Sequence, residues 1–187
     1  REHGLDTVDA ITAMQRGEVD VFVAMGGNFL MAAPDTEATA RALASCRLTV
    51  QVSTKLNRSH AVGGQAALIL PALGRTDRDL TGGRPQRVTV EDSMSMVHAS
   101  TGRLEPASPH LRSEVAIVCQ LAERVLGPGG RGPDWAALAD DYDRIRDLIA
   151  AAIPGFDDFN ARRDAGFVLP HGPRDARRFD TPSGRAR

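Results

Sequence analysis

The stretch Val21-Phe22-Val23-Ala24-Met25-Gly26-Gly27-Asn28 decides the reading of the fold. It closes an apolar run that begins at Val19 and is broken only by Asp20. The run is rich in β-branched residues, too short for a typical helix and stopped by two glycines, so it predicts a buried strand. Upstream, Asp6 or Thr7 stands where a cap belongs. A helical pattern follows through Val8, Ile11, Ala13 and Met14 and stops at Gly17. Downstream, Asp35 opens a second helical pattern through Thr39, Ala40, Leu43 and Ala44. Leu48 to Val52 reads as a second strand and Asn57 to Val62 as a short helix or turn. Ala66 to Leu70 reads as a third strand, closed by Pro71. That alternation predicts an α/β fold with a parallel sheet and crossover helices.

In such a sheet all three strands run the same way. Their carboxyl ends share one edge, and ligands of open α/β sheets bind along it. The segments placed there are Gly26-Gly27-Asn28, Ser53-Thr54-Lys55-Leu56-Asn57-Arg58 and Pro71 to Asp77. Two glycines after a strand let a ligand approach the backbone closely or let the chain turn with positive φ. The helix opening near Pro34-Asp35 points free N–H groups toward the same edge, which suits a phosphate or diphosphate. The plainer alternative is a tight turn with no ligand, because neither GxGxxG nor GxxxxGK[ST] occurs here.

Ser53, Thr54, Lys55, Asn57 and Arg58 bring hydroxyls, an ammonium, an amide and a guanidinium together, a donor set for a phosphate, ribose or purine edge. The alternative is a solvated loop in which Ser53, Thr54 or Asn57 caps the next helix. Arg75 and Asp77 after the third strand fit a binding role and a surface ion pair equally well. His60 and His98 are isolated and read as structural or solvated. Glu91 and Asp92, as neighbours on a strand, face opposite sides. No Ser-His-Asp or Cys-His constellation assembles, so the sequence nominates no catalytic and no metal-ligating residue.

Farther along, Thr81 to Pro85 is a turn, Arg87 to Glu91 alternates like a strand, and Ser93 to Pro109 reads as polar and irregular. Arg112 to Leu126 and Trp135 to Ile153 read as amphipathic helices, separated by a glycine-rich break from Gly127 to Pro133. Phe156 to Gly166 holds a further short helix, and the arginine-, proline- and glycine-rich last residues look unfinished as a domain.

Composition narrows the function classes. Of 187 residues, 42% are hydrophobic and 25% charged, which is globular rather than disordered. With 23 basic against 24 acidic residues, a bulk nucleic-acid footprint is not expected. No apolar run approaches the ~20 residues that span a bilayer. The two cysteines, Cys46 and Cys119, read as buried structural thiols and cannot supply four thiolates to an iron–sulfur cluster. Arg1-Glu2-His3-Gly4 shows no signal-peptide pattern and no Met, so the natural start is expected upstream, in a cytoplasmic protein.

Val21 to Asn28, Pro34-Asp35-Thr36-Glu37, Val50 to His60, Leu68 to Asp77, Val90 to His98 and Gly102 to Ser108 together, in this order and spacing, resemble the molybdopterin oxidoreductases of the dimethyl-sulfoxide-reductase superfamily. The resemblance is strongest to their formate-dehydrogenase-like alpha subunits and covers nearly the whole chain. It implies a fragment of a larger enzyme. Residues 1–127 would belong to a Rossmann-like part, residues 128–170 to a helical extension, and residues 171–187 to a linker into a C-terminal dinucleotide-binding cap. It further implies molybdenum or tungsten held by two molybdopterin guanine dinucleotides, and a [4Fe–4S] cluster carried upstream. Partners would be a small-molecule substrate and an electron-transfer partner, with no nucleic acid.

By the same resemblance Gly26, Gly27 and Asn28 would line the nucleotide. Ser53, Thr54, Lys55, Asn57 and Arg58 would meet the guanosine or diphosphate, and Arg75 and Asp77 would close a third side. Two departures stand out: Ser53-Thr54-Lys55 replaces the aspartate that many relatives place after the second strand, and Phe29 replaces a proline after the first. The rival readings are the Rossmann-like domain of another nucleotide enzyme or of a thiamine-diphosphate enzyme, and a non-catalytic scaffold relative.

Overall fold

The structure, a computed structural model, describes residues 4–127 and 132–186. Most of the expected break from Gly127 to Pro133 lies outside the described residues. The chain forms two compact units. One comprises the residues up to Gly74 with Pro106–Glu114, and the other comprises Arg75–Glu105 with the residues from Val115 onward.

The first unit is built as its pattern dictates. Helix α1 (Thr7–Gln15) starts where the Asp6 carboxylate accepts the Asp9 N–H at 2.9 Å, and the chain leaves it through Gly17 at φ 72°. Strand β1 (Val21–Met25) follows. A one-turn helix α2 (Phe29–Ala32), not foreseen in the sequence, precedes helix α3 (Thr36–Ser45). Strand β2 (Leu48–Ser53), a 3-10 turn (Arg58–Ala61) and strand β3 (Ala66–Pro71) complete the series. The sheet order is β1-β2-β3 and both pairings are parallel, with Val23 beside Val50 and Val50 beside Leu68. The expected α/β architecture, a Rossmann-like parallel sheet with crossover helices, is present.

Alternation along the strands decides what is buried. Phe22 points to the helical side and meets Phe29 at 4.9 Å between ring centroids. Both pack on a core of Ile11, Met14, Ala33, Ala42 and Cys46. Thr39 and Leu43 of α3 are fully enclosed. The turn into β3 needs Gly64, because a Cβ there would overlap the Cys46 carbonyl oxygen, while its N–H donates to Thr49 Oγ1 at 3.1 Å. Both cysteines are free thiols and buried. Burial pushes each thiol above its ordinary pKa, with Asp20 adding to the effect at Cys46 and Glu123 at Cys119.

The second unit carries an antiparallel sheet. Strands β4 (Val88–Glu91) and β5 (Met96–Ser100) form a hairpin. Thus part of the stretch expected to be irregular is a strand. The Asp92 carboxylate accepts the N–H groups of Met94 and Met96 at 2.9 and 3.1 Å and closes the turn between the strands. Helix α4 (Glu114–Leu126) follows. The helix expected from Trp135 to Ile153 is two, α5 (Trp135–Asp140) and α6 (Tyr142–Ala152). Asp141 breaks them: its backbone is extended, and its side chain caps α6 by accepting the Asp143 N–H at 3.0 Å. Helix α7 (Phe159–Arg162), strand β6 (Phe167–Val168), paired antiparallel to β5, and helix α8 (Gly172–Ala176) end the chain. Phe159, Phe167 and Val97 form one core of this unit. Cys119, Leu138 and Ala139 form another. No helix of the described residues is long and apolar enough to cross a membrane.

Candidate functional site at the carboxyl edge of the parallel sheet

Gly26 and Gly27 leave β1 with φ of 66° and 70°, a conformation that L-residues with a Cβ rarely take. Space above the turn is open. A Cβ at Gly27 would meet nothing within 4 Å, and one at Gly26 would meet only Glu114 Oε1, at 3.9 Å. The Gly26 N–H donates to the Val52 carbonyl at 2.7 Å and holds the turn to the end of β2.

A hydrogen-bond network ties this turn to the loop after β2. Asn57 Nδ2 donates to the Gly27 carbonyl at 2.7 Å, and Asn57 Oδ1 accepts the Ser59 N–H at 2.9 Å. The Ser59 hydroxyl donates to Asn28 Oδ1 at 2.8 Å and accepts the buried Leu30 N–H at 3.0 Å. Gln51 Nε2 adds a bond to the Ser59 carbonyl at 3.3 Å. His60 Nδ1 accepts the Asn57 N–H at 3.0 Å. Nδ1 is therefore the acceptor of the neutral ring, and Nε2–H donates to Ser53 Oγ, 3.0 Å away. Asn57 and His60 together make a capping box on the 3-10 turn. The two loops are thus one pre-organised surface rather than two independent segments.

The structure divides the expected site residues by role. Gly26 and Gly27 shape the turn, while Asn28, Ser53 and Asn57 are held inside the network. Thr54, Lys55 and Arg58 lie exposed in the loop. Among the described residues, neither Lys55 nor Arg58 is engaged in an ion pair with a carboxylate. Arg75 and Asp77 belong to the second unit, where Arg75 is exposed and Asp77 bridges to Leu104.

One expectation changes. The N-terminus near Pro34-Asp35 carries its own carboxylates: the Asp35 side chain accepts the Ala38 N–H at 2.9 Å, and Glu37 sits in the first turn. Two carboxylates at a helix start oppose an anion there. Any phosphate-binding capacity therefore rests on the glycine turn and the loop cations. Three residues of this edge were not singled out by pattern: Ser59, Gln51 and Glu114. A serine inside a polar loop carries no signal of burial, although Ser59 is only 1% exposed.

No family model matches the chain. It is 62% identical over its whole length to proteins named uncharacterized oxidoreductase from Mycobacterium tuberculosis and Mycobacterium bovis. It is 46% identical, over 95% of its length, to the protein YdeP of Escherichia coli. In each case the chain spans 24% of the relative's length.

Proposed function

We propose that the chain is the nucleotide-cradling part of a molybdenum or tungsten oxidoreductase that binds molybdopterin guanine dinucleotide, of the formate-dehydrogenase-like kind. The observation that carries this reading is the pre-organised carboxyl edge. An open double-glycine turn with positive φ is bonded through Asn57 and Ser59 to a loop bearing the exposed cations Lys55 and Arg58, which form no ion pair among the described residues. Those residues fit a nucleotide diphosphate. The turn leaves the space a Cβ would fill, and the loop supplies charge-assisted donors for phosphate oxygens. The sequence resemblance and the relatives named oxidoreductase support the same reading.

In this proposal the residues bind and orient. Gly26 and Gly27 let the ligand approach the backbone. Asn28 and Asn57 hold the turn in shape through Ser59. Lys55 and Arg58 neutralise phosphate, with Thr54 as a hydroxyl donor. Glu114, beside Gly26, sets a negative limit on one side of the edge. When bound, the cofactor supplies the two-electron chemistry, and the protein supplies position and electrostatics. The metal ligand and cluster cysteines would come from other parts of the longer polypeptide. Its small substrate, for which formate is the model, and its electron partner would meet the protein there.

The test is Arg58→Ala in the full-length protein. Loss of a charge-assisted bond worth roughly 1.5–3 kcal/mol predicts weaker cofactor retention, read as a lower metal and guanine-nucleotide content after gel filtration. Unchanged occupancy and activity would refute the assignment of Arg58 to phosphate.

A further inference from the structure

Parallel sheets are covered on both faces, and their strands read as continuous apolar runs for that reason. In the first unit the helices cover one face of β1 and β2, and on that same face Ile69 of β3 is 46% exposed. Phe22 and its neighbours on that face pack on the helices. On the opposite face the register aligns Val21, Val23 and Met25 of β1 with Leu48, Val50 and Val52 of β2, and these with Ala66, Leu68 and Leu70 of β3. There Val21, Val23, Met25 and Leu68 are 52%, 49%, 45% and 51% exposed, while Val52, at the carboxyl end of β2, is 1% exposed. The β-branched and apolar residues of β1 at both phases are the sequence of a strand buried on two sides.

Topology says where the cover comes from. The strands are ordered β1-β2-β3 in chain sequence, so right-handed crossovers place their connections on one face. An open parallel sheet fills its second face by winding the other way from the first strand. Among the described residues β1 pairs only with β2, which leaves its outer edge open. The relatives are about four times as long as this chain, which spans 24% of them.

We propose that a segment of the same longer polypeptide, outside these 187 residues, pairs a parallel strand with the free edge of β1 and lays its crossover helices over Val21, Val23, Met25 and Leu68. The occupant is an α/β segment with apolar helix faces, not a second copy and not a separate protein. The glycine turn after β1 then stands where the winding reverses, the position at which such sheets open a crevice for ligands. The inference rests on the sheet and on the length of the relatives, not on the identity of the cofactor.

The test uses the full-length protein carrying Val23→Cys or Leu68→Cys, labelled with a charged maleimide. Labelling is read by mass spectrometry on the peptide that carries the substitution, so cysteines elsewhere in the longer polypeptide do not contribute; within these 187 residues the natural thiols, Cys46 and Cys119, are buried. The expected result is labelling at least about 100-fold slower in the native protein than in urea, unchanged by dilution of a monomer. Labelling at the urea rate would overturn the proposal. So would protection that disappears on dilution as a dimer dissociates, which would assign the face to a second copy. Should the variants fail to fold, hydrogen exchange on the unmodified full-length protein decides. Slow exchange of every β1 amide supports an added strand, and solvent-rate exchange of those facing away from β2 refutes it.

Discussion

Ser59→Ala is the sharpest perturbation of the carboxyl edge. The hydroxyl is 1% exposed. It accepts the Leu30 N–H at 3.0 Å and donates to Asn28 Oδ1 at 2.8 Å. Alanine fits the same space, so packing is nearly unchanged and the effect is that of the two bonds. Asn28 lies nearer the surface and can turn its amide toward water. Leu30 is buried, so its N–H is left without an acceptor, and that deficit dominates at about 2 kcal/mol. The expected result is a fall in Leu30 amide protection of roughly 30-fold. Urea denaturation should show a lower midpoint at unchanged slope, because the surface exposed on unfolding is the same. Thr54→Ala, at an exposed position in the same loop, should stay within about 0.5 kcal/mol. Equal protection of Leu30 in Ser59→Ala and in the unmodified protein would refute the reasoning that Ser59 joins the two loops.

Other outcomes follow from the packing and charge distribution. Gly64→Ala should destabilise the first unit by roughly 2–3 kcal/mol in denaturant melts, because the added Cβ meets the rigid Cys46 carbonyl. Native Cys46 and Cys119 should resist iodoacetamide at neutral pH and react on unfolding. Since burial raises both thiol pKa values, the unfolded thiols ionise first as pH rises through about 8.5, and stability should decline above that pH in melts taken across the alkaline range.

At Asp143 burial alone would raise the pKa, but hydrogen bonds from Arg146 and Arg163 outweigh it and lower the value. Its contribution should be complete above the ordinary Asp pKa of about 3.9 and lost as pH falls through the folded value, in melts taken down the acid range. Asp143→Ala should destabilise the second unit by roughly 1–3 kcal/mol in denaturant melts at neutral pH, because buried Arg146 loses its carboxylate.

The parallel sheet was legible because three apolar runs of strand length are each stopped by glycine, serine or proline. The caps were legible too, since Asp6 and Asp35 precede helical patterns and both accept the expected N–H. The break at Asp141 was not, because the apolar spacing of Trp135, Leu138, Tyr142 and Ile145 continues through it. Only the capping bond to Asp143 reveals two helices. Strand β5 was hidden for a different reason. Met96 to Ser100 carries mixed polarity, and its pairing with β4 is a tertiary fact. At the site, residue types predicted a donor-rich edge but not which donors are occupied. Asn57 is a cap, as the plainer reading allowed, and at the same time a bridge to Gly27. His60 is structural, bound on both ring nitrogens. Such assignments depend on which side chains meet across loops about 30 residues apart in sequence.

The most direct measurement of the central claim is the content of the purified full-length protein. Metal analysis and chromatography of the acid-released nucleotide should find molybdenum or tungsten together with guanine nucleotide, in a ratio of two nucleotides to one metal. Folded protein containing neither metal nor guanine nucleotide would contradict the account.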